Sequence, residues 1–202
     1  MLIHHPITYL ALGDSYTIGE GLPLQDSFPY QLVQQLRHNG QHTHAPEIIA
    51  QTGWTTQELA TQLIHTQLET SYDWVSLLAG VNNQYRGLSV DEFAEEYEFL
   101  IHKAIHLSKT AEKGVFTLTI PDWTITPFGL NDTKEVSRQA VSAFNEQVKL
   151  LSEKHGIRCI DIVASCKQAA QSESGLCKDG LHYSATTHGD WCKLIMETIF
   201  HS

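Results

Sequence analysis

Short apolar runs alternate with amphipathic stretches along the whole chain. The apolar runs lack the in-and-out alternation of a half-exposed strand, which is typical of parallel strands that are covered on both faces. The first run ends at Gly13, and the fourth follows Gly114. Five strands are predicted, at residues 7–12, 47–50, 74–79, 115–120 and 157–163.

The stretches between the strands carry apolar residues at helical spacing, which predicts helices that each bury one face. Two of them begin with a capping box, Thr55 with Glu58 and Ser89 with Glu92. Helices are predicted at residues 26–38 and 131–155, and a last helix includes residues 191–199. Two more follow the capping boxes, with apolar residues at 59–68 and at 93–105.

Strands and helices alternate without an internal repeat, a low-complexity tract or a linker. The 202 residues are therefore predicted to form one α/β domain, residues 1–202. Five parallel strands with helices on both faces make a three-layer α/β/α sandwich. In such a sheet the functional site is expected at the carboxyl ends of the strands.

Charge and composition narrow the possible partners. The chain has 13 basic and 23 acidic residues, a net charge of −10 with histidine neutral. Phosphate binding needs clustered Lys and Arg, so this charge argues against a nucleic acid or an anionic membrane as partner.

No apolar run is long enough to span a membrane, and the first strand begins too soon for a signal peptide, so we expect a cytoplasmic protein. The four cysteines lack paired spacing and are expected to be reduced thiols.

The residues Gly13-Asp14-Ser15-Tyr16 follow directly after the first strand. A serine on a sharp turn at a strand end is held still with its hydroxyl outward, and nearby backbone N–H groups can meet developing negative charge. This is the arrangement that a nucleophile needs. A plain strand-ending turn has the same composition, so this stretch alone leaves both interpretations open.

Two further loops follow the second and third strands. Gly53 lies in the first of them, where the lack of a side chain lets a backbone N–H point into the cleft beside Ser15. Asn82 lies in the second, and its side-chain amide can donate to an oxyanion without titrating. Ordinary turns also favour glycine and asparagine, so each loop is weak evidence by itself.

Asp179 and His182 lie before the last predicted helix. A histidine three residues after an aspartate can present one ring nitrogen to the serine while the aspartate orients the other. With 12 histidines in the chain, a chance pair remains possible, and the neighbouring His188 is the next candidate for a base.

Taken in order, these four stretches resemble the conserved blocks of the SGNH hydrolases, also called the GDSL esterase/lipase family. The blocks read Gly-Asp-Ser-Tyr, a loop centred on Gly53, Gly-Val-Asn-Asn and Asp-Gly-Leu-His, and the resemblance spans residues 9–183. It implies a flavodoxin-like three-layer α/β/α fold and a serine esterase that uses no metal and no organic cofactor.

The resemblance also implies a role for each residue. Ser15 would be the nucleophile, His182 the general base and Asp179 its orienting partner. The oxyanion hole would consist of the Ser15 N–H, the Gly53 N–H and the Asn82 side chain. Attack of Ser15 on an ester would give an acyl-enzyme, which water then resolves.

Two positions depart from the family pattern. Asn83 stands where the third block usually has aspartate, and Tyr183 follows His182 where the last block usually has proline. Neither position is assigned to the chemistry. We therefore expect altered local support around Asn82 and an altered loop around His182.

Aromatic residues on the loops are expected to border the cleft and to contact substrate: Trp54, Tyr85 and Trp123, with Arg86 and Phe128 beside them. Packing of these side chains into the core is the competing interpretation. No long apolar segment suggests a lipid-binding lid. A small-molecule ester with a short acyl chain is therefore the predicted substrate, and a sugar is one candidate for its alcohol.

Two alternatives belong to other classes of protein. A non-catalytic, flavodoxin-like ligand-binding module would use the turn after the first strand to hold an anion. A histidine-rich metalloenzyme would draw on His42 and His44 or on His4 and His5, which lack the i, i+4 spacing of a helical zinc site. The sequence leaves the acyl group, the alcohol and the number of subunits open.

Overall fold

A computed structural model describes residues 5–131 and 138–199 of the chain. Its centre is a sheet of five parallel strands in the order β2-β1-β3-β4-β5. Leu12 of the first strand pairs with Ile49 on one side and with Leu77 on the other. The strands are β1 Tyr9–Gly13, β2 Glu47–Ala50, β3 Trp74–Leu78, β4 Val115–Leu118 and β5 Arg158–Ile160.

Helices cover both faces of this sheet. The α-helices in the described ranges are α1 Ser15–Ile18, α2 Phe28–His38, α3 Thr56–His65, α4 Val81–Tyr85, α5 Val90–Leu107, α6 Pro127–Asn131, α7 Arg138–Lys154, α8 Val163–Ala170 and α9 Ala185–Ile199. Helices α2, α8 and α9 pack together as one layer, and α3, α5 and α7 pack together as the other. This arrangement confirms the predicted three-layer sandwich.

Both predicted capping boxes are present. The Thr55 hydroxyl accepts from the Glu58 N–H at 3.3 Å, and the Glu58 carboxylate accepts from the Thr55 N–H at 2.8 Å. Ser89 and Glu92 make the same reciprocal pair at the start of α5. Each box satisfies two backbone N–H groups that a helix start otherwise leaves without partners.

Some boundaries differ from the prediction. Helices α1, α4 and α8 lie where no helix was predicted, and α6 lies in a predicted loop except for its last residue, Asn131. Strand β5 is shorter than expected because α8 begins at Val163. The predicted helix 131–155 appears as α7, while residues 132–137 lie outside the described part of the chain. Within residues 5–131 and 138–199, no helix is long and apolar enough to cross a membrane.

The strand order places a switch point beside β1. The chain passes from β1 to β2 on one side and then crosses back to β3 on the other side of β1. Connections that leave β1 and β3 in opposite directions open a crevice at their carboxyl ends, where ligands bind in sheets of this kind. The loops that carry Ser15, Gly53 and Asn82 follow β1, β2 and β3, and therefore all meet this crevice.

Candidate active site

Ser15 is the first residue of α1, and only Asp14 separates it from the end of β1. Asp14 is the N-cap of this short helix, and its carboxyl accepts a hydrogen bond from the Tyr16 N–H at 3.0 Å. The Ser15 carbonyl accepts from the N–H groups of Gly19 and Glu20, which closes the turn. Ser15 is thus held at the start of a short helix that Asp14 caps.

The turn at Ser15 depends on glycine before it. A Cβ on Gly13 would lie 2.0 Å from the Thr17 hydroxyl and 2.3 Å from the Leu78 carbonyl oxygen. No side chain fits at these distances, because the start of α1 folds back tightly over β3. Gly13 therefore fixes how closely the serine turn approaches the sheet.

Asp14 lies in the interior, with 1% of its surface exposed. Burial raises the pKa of its carboxyl to about 7, although the hydrogen bond from the Tyr16 N–H opposes this increase. The carboxyl is therefore mostly protonated in mildly acidic solution and adds little negative charge beside Ser15 there.

Gly53, on the loop after β2, and Asn82, in α4, belong to segments that contact each other. Gly53 has φ of 85°, a conformation that other residues adopt only with strain. Its carbonyl accepts from the Arg86 guanidinium at 2.5 Å. The Asn82 side-chain amide donates to the Trp54 carbonyl at 2.9 Å. An amide NH₂ has two donors, so this contact holds Asn82 by one N–H, and the second N–H has no hydrogen-bond partner among the residues that the structure describes.

Asp179 and His182 are in direct contact. His182 Nδ1 and Asp179 Oδ2 are 2.6 Å apart, and the other carboxylate oxygen accepts from the N–H groups of Leu181 and His182. Burial opposes ionisation of Asp179, but the hydrogen bonds from the His182 ring and the two N–H groups outweigh it and lower the pKa of the carboxyl. The ionised Asp179 carboxylate thus fixes the His182 ring through Nδ1, and the other ring nitrogen, Nε2, points away from Asp179.

These loops enclose a pocket of about 150 Å³. Its lining includes Ser15, Gly53, Asn82 and His182 together with Tyr16, Thr52, Val81, Tyr85, Trp123, Phe128 and Leu181. The structure therefore brings the predicted nucleophile, base and oxyanion donors to one cavity.

Three aromatic side chains form one wall of the pocket. The rings of Tyr85 and Trp123 meet edge to face at 5.0 Å, and Phe128 packs at 6.4 Å from Tyr85 and 6.3 Å from Trp123. Trp54, the other aromatic residue predicted to contact substrate, is not part of the lining. It packs partly against the core, and its role at the site is the carbonyl that holds Asn82.

Asn83 is fully buried behind the pocket, where it joins α4 to α3 and α5. Its side-chain oxygen accepts from the Thr56 N–H at 3.0 Å, and its amide donates to the Thr56 hydroxyl at 2.6 Å and to Glu96 at 3.1 Å. The Thr56 hydroxyl also hydrogen-bonds to Glu96. An aspartate could make the first contact but could not donate to Glu96, so the asparagine matches this acidic neighbour.

Tyr183 supports the loop of His182 by packing. It is completely buried, with its ring 5.9 Å from Tyr16 and 5.5 Å from Trp191. The Tyr16 ring in turn packs at 5.3 Å from the His182 ring. The residue after the histidine thus fixes the loop by filling the core rather than by restricting the backbone.

His188, the other candidate base, lies in the core and does not line the pocket. Its Nδ1 accepts from the Phe28 N–H at 2.9 Å, and its ring stacks on Trp191 at 4.6 Å. Burial, with a smaller contribution from His182, lowers the pKa of His188 to about 3. A neutral imidazole that caps the start of α2 has a structural role.

In the part of the chain that the structure describes, side chains able to hold a metal ion come together at Glu98, His102 and His155, none of which lines the pocket. The pair His42 and His44 is exposed near the edge strand β2, and His4 lies outside the described residues. The sequence pattern did not predict the group at Glu98.

Solved structures with the same fold cover nearly the whole chain. A lipase/acylhydrolase from Enterococcus faecalis matches with a TM-score of 0.76 at 20% identity over 95% of this chain and 94% of that one. The acetylxylan esterase Axe2 from Geobacillus stearothermophilus matches with a TM-score of 0.74 at 18% identity, over 99% and 97% of the two chains. The esterase EstA from Pseudoalteromonas, in a structure inhibited by monoethylphosphonate, matches with a TM-score of 0.74 at 15% identity, over 95% and 96%.

No curated protein sequence matches the chain significantly. The sequence model of the GDSL-like lipase/acylhydrolase family matches residues 11–189, which is most of the chain and includes all four site loops. The chain therefore belongs to the GDSL-like lipase/acylhydrolase family and is an ester hydrolase.

Proposed function

We propose that the protein is a serine esterase that works through an acyl-enzyme on Ser15. The observation that carries this proposal is the convergence of four loops on one pocket, with the Asp179–His182 pair at 2.6 Å beside it. A nucleophile, an oriented base and three neutral donors in one cavity are the parts that acyl transfer needs.

In the proposed mechanism, Ser15 Oγ attacks the ester carbonyl as His182 Nε2 takes its proton. The negative charge on the carbonyl oxygen is met by the N–H groups of Ser15 and Gly53 and by the free N–H of Asn82. The C–O bond to the alcohol then breaks, and His182 gives its proton to the departing alcohol. Water attacks the acyl-enzyme with His182 again as base, which releases the acid and restores the Ser15 hydroxyl.

The size of the pocket supports a short acyl group. An apolar cavity of about 150 Å³ holds a molecule of the size of benzene, which corresponds to about six non-hydrogen atoms. The wall of Tyr85, Trp123 and Phe128 closes one side of this space. An acetyl to butyryl group fits inside, with the alcohol at the open mouth, whereas a long acyl chain would have to leave the pocket.

A sugar ester is the substrate class that we favour for the alcohol side. The support is the similarity in fold to an acetylxylan esterase, together with aromatic side chains at the pocket against which a sugar ring can stack. The sugar itself is left to experiment.

Ser15→Ala tests the nucleophile. We expect this variant to fold and to lose ester turnover by about a thousandfold or more. A fluorophosphonate should add one label to the wild type and none to Ser15→Ala. Ser142→Ala, at an exposed position on α7, is the matched control and should be labelled and active like the wild type. Labelling that persists in Ser15→Ala would refute the assignment.

A series of p-nitrophenyl esters from acetate to palmitate tests the acyl size, with acetylated xylo-oligosaccharides alongside. We expect kcat/KM to be highest for acetate to butyrate and to decrease by about tenfold or more by octanoate, because a chain too long for the pocket must leave it and then loses the burial that a short acyl group gains. Values that rise with chain length through octanoate would contradict a short acyl pocket and would leave the role of Ser15 intact.

A further inference from the structure

Three metal-ligating side chains meet on the flank where α5 packs against α7. Glu98 and His102 belong to α5, and His155 follows the last residue of α7. One ligand atom from each lies within 4.8 Å of those from the other two. We propose that Glu98, His102 and His155 bind a divalent transition-metal ion of the Zn²⁺ type.

The fold holds these three residues together. Glu98 and His102 are separated by four positions, which places them one turn apart on the same face of α5. His155 continues α7 through its N–H, which donates to the Leu151 carbonyl, and Gly156 then ends the helix with φ of 66°. Because the buried faces of α5 and α7 pack against each other, both backbones are fixed by the core.

The donor set suits zinc. Two imidazoles and a carboxylate, with an open fourth position, are ligands that Zn²⁺ accepts in tetrahedral geometry. His155 Nε2 already lies 2.6 Å from Glu98 Oε1, and the rings of His102 and His155 meet edge to face at 4.8 Å. Ligands around a tetrahedral zinc are about 3.3 Å apart. His102 is exposed and can rotate by the remaining distance without disturbing the core.

Lys154 competes for the same carboxylate. Its ammonium lies 2.7 Å from Glu98 Oε1, and its side chain is 60% exposed. A surface ion pair of this kind contributes little to stability, so the lysine can move aside at small cost. Its positive charge still opposes a cation at Glu98, so Lys154 should weaken the site without abolishing it.

The cluster lies at the end of the sheet opposite the pocket. His155 lies in the short connection from α7 to β5 and is therefore near the amino ends of the parallel strands. Ser15, Gly53 and Asn82 instead follow the carboxyl ends. A metal ion here would tie α5 to the end of α7 and stabilise the folded chain. The expected readout is stability, and it does not depend on the proposed esterase mechanism.

Zinc binding by the full chain, freed of trace metal with a chelator, tests the proposal. Calorimetric titration should find one equivalent of Zn²⁺ in the wild type that His102→Ala and Glu98→Gln lack. At Zn²⁺ about 100 times the dissociation constant, the midpoint of thermal unfolding should rise by about 5 to 10 °C in the wild type. Mg²⁺ should give neither effect, because it prefers an all-oxygen site.

Two further variants make the test specific. His106→Ala removes another exposed histidine one turn along α5 and should bind Zn²⁺ like the wild type. Lys154→Met removes the competing charge and should tighten binding by about tenfold. The proposal would be overturned if the wild type and His102→Ala bound Zn²⁺ equally and showed equal midpoint shifts. It would also be overturned if His106→Ala lost as much Zn²⁺ binding as His102→Ala.

Discussion

Replacing His188 by asparagine tests whether this histidine is a neutral structural group of the core. The asparagine side-chain oxygen can take the position of Nδ1 and accept from the Phe28 N–H, but it cannot take up a proton in this pH range. The variant loses the ring that stacks on Trp191, so we expect it to be less stable than the wild type at pH 7. The informative quantity is how this difference changes with pH.

The size of the change follows from the pKa of His188. Its ordinary value is 6.5, and burial lowers it to about 3 in the folded chain. Between these values the unfolded chain binds a proton that the folded chain does not, so the free energy of unfolding falls as pH falls. Below the unfolded pKa of 6.5, each pH unit lowers the free energy of unfolding by about 1.4 kcal/mol. Between pH 7 and pH 5 only about 1.5 units lie in this range, so the histidine lowers the free energy of unfolding by about 2 kcal/mol.

Asp14 acts in the opposite direction. Its raised pKa means that the folded chain binds more protons between about pH 4 and pH 7, so its contribution to stability decreases as pH rises. The pH profile of the wild type alone therefore mixes two opposing groups. Asp14 is present in both proteins, and its contribution cancels when the wild type is compared with His188→Asn.

Urea unfolding followed by tryptophan fluorescence at pH 7, 6 and 5 measures the difference. We expect the advantage of the wild type over His188→Asn to shrink by about 2 kcal/mol between pH 7 and pH 5. An advantage that stays constant would show that His188 is not held neutral in the core. The reasoning from burial would then be wrong.

Three further substitutions address the site. Asn82→Ala should lower kcat by about a hundredfold or more with KM little changed, because the hydrogen bond forms mainly in the transition state; a raised KM with unchanged kcat would make Asn82 a substrate-binding residue. Asp179→Asn should lower kcat/KM by up to about 10⁴-fold, since the ring of His182 can then be held in the wrong tautomer; activity near that of the wild type would refute the pair. Asn83→Asp should cost about 1 to 3 kcal/mol in urea unfolding by placing two carboxylates together, and adding Glu96→Gln should restore most of the loss.

Strands and capped helices could be predicted because their signals are local. A capping box is a pattern of four residues, and both boxes form as the sequence indicates. Helices α1 and α4 span only four and five residues, too few for a helical period to appear. Helix α8 buries only Cys166 and Ala169, small side chains that leave no marked apolar stripe. Tertiary contacts rather than sequence pattern define these three helices.

The sequence could predict that the loops of the candidate site meet, but it could not predict which side chains are partners. A parallel sheet brings all strand ends to one edge, so the motifs after β1, β2 and β3 must meet. Which side chains touch depends on packing across the chain. His155 is 53 positions beyond His102, and the buried place of His188 depends on Phe28, far away in sequence.

The two departures from the family pattern show how the fold accommodates a substitution beside the candidate site. Asn83 replaces an aspartate, yet it still accepts from the Thr56 N–H, while Glu96 supplies the carboxylate and takes up the added donor. Tyr183 replaces a proline and fills the core beside Tyr16, which packs against the His182 ring. In both places, the contacts of the substituted residue set the position of the neighbouring side chain, Asn82 or His182, for which we predict a function. The identity of a supporting residue can therefore change, provided that its neighbours supply the complementary group.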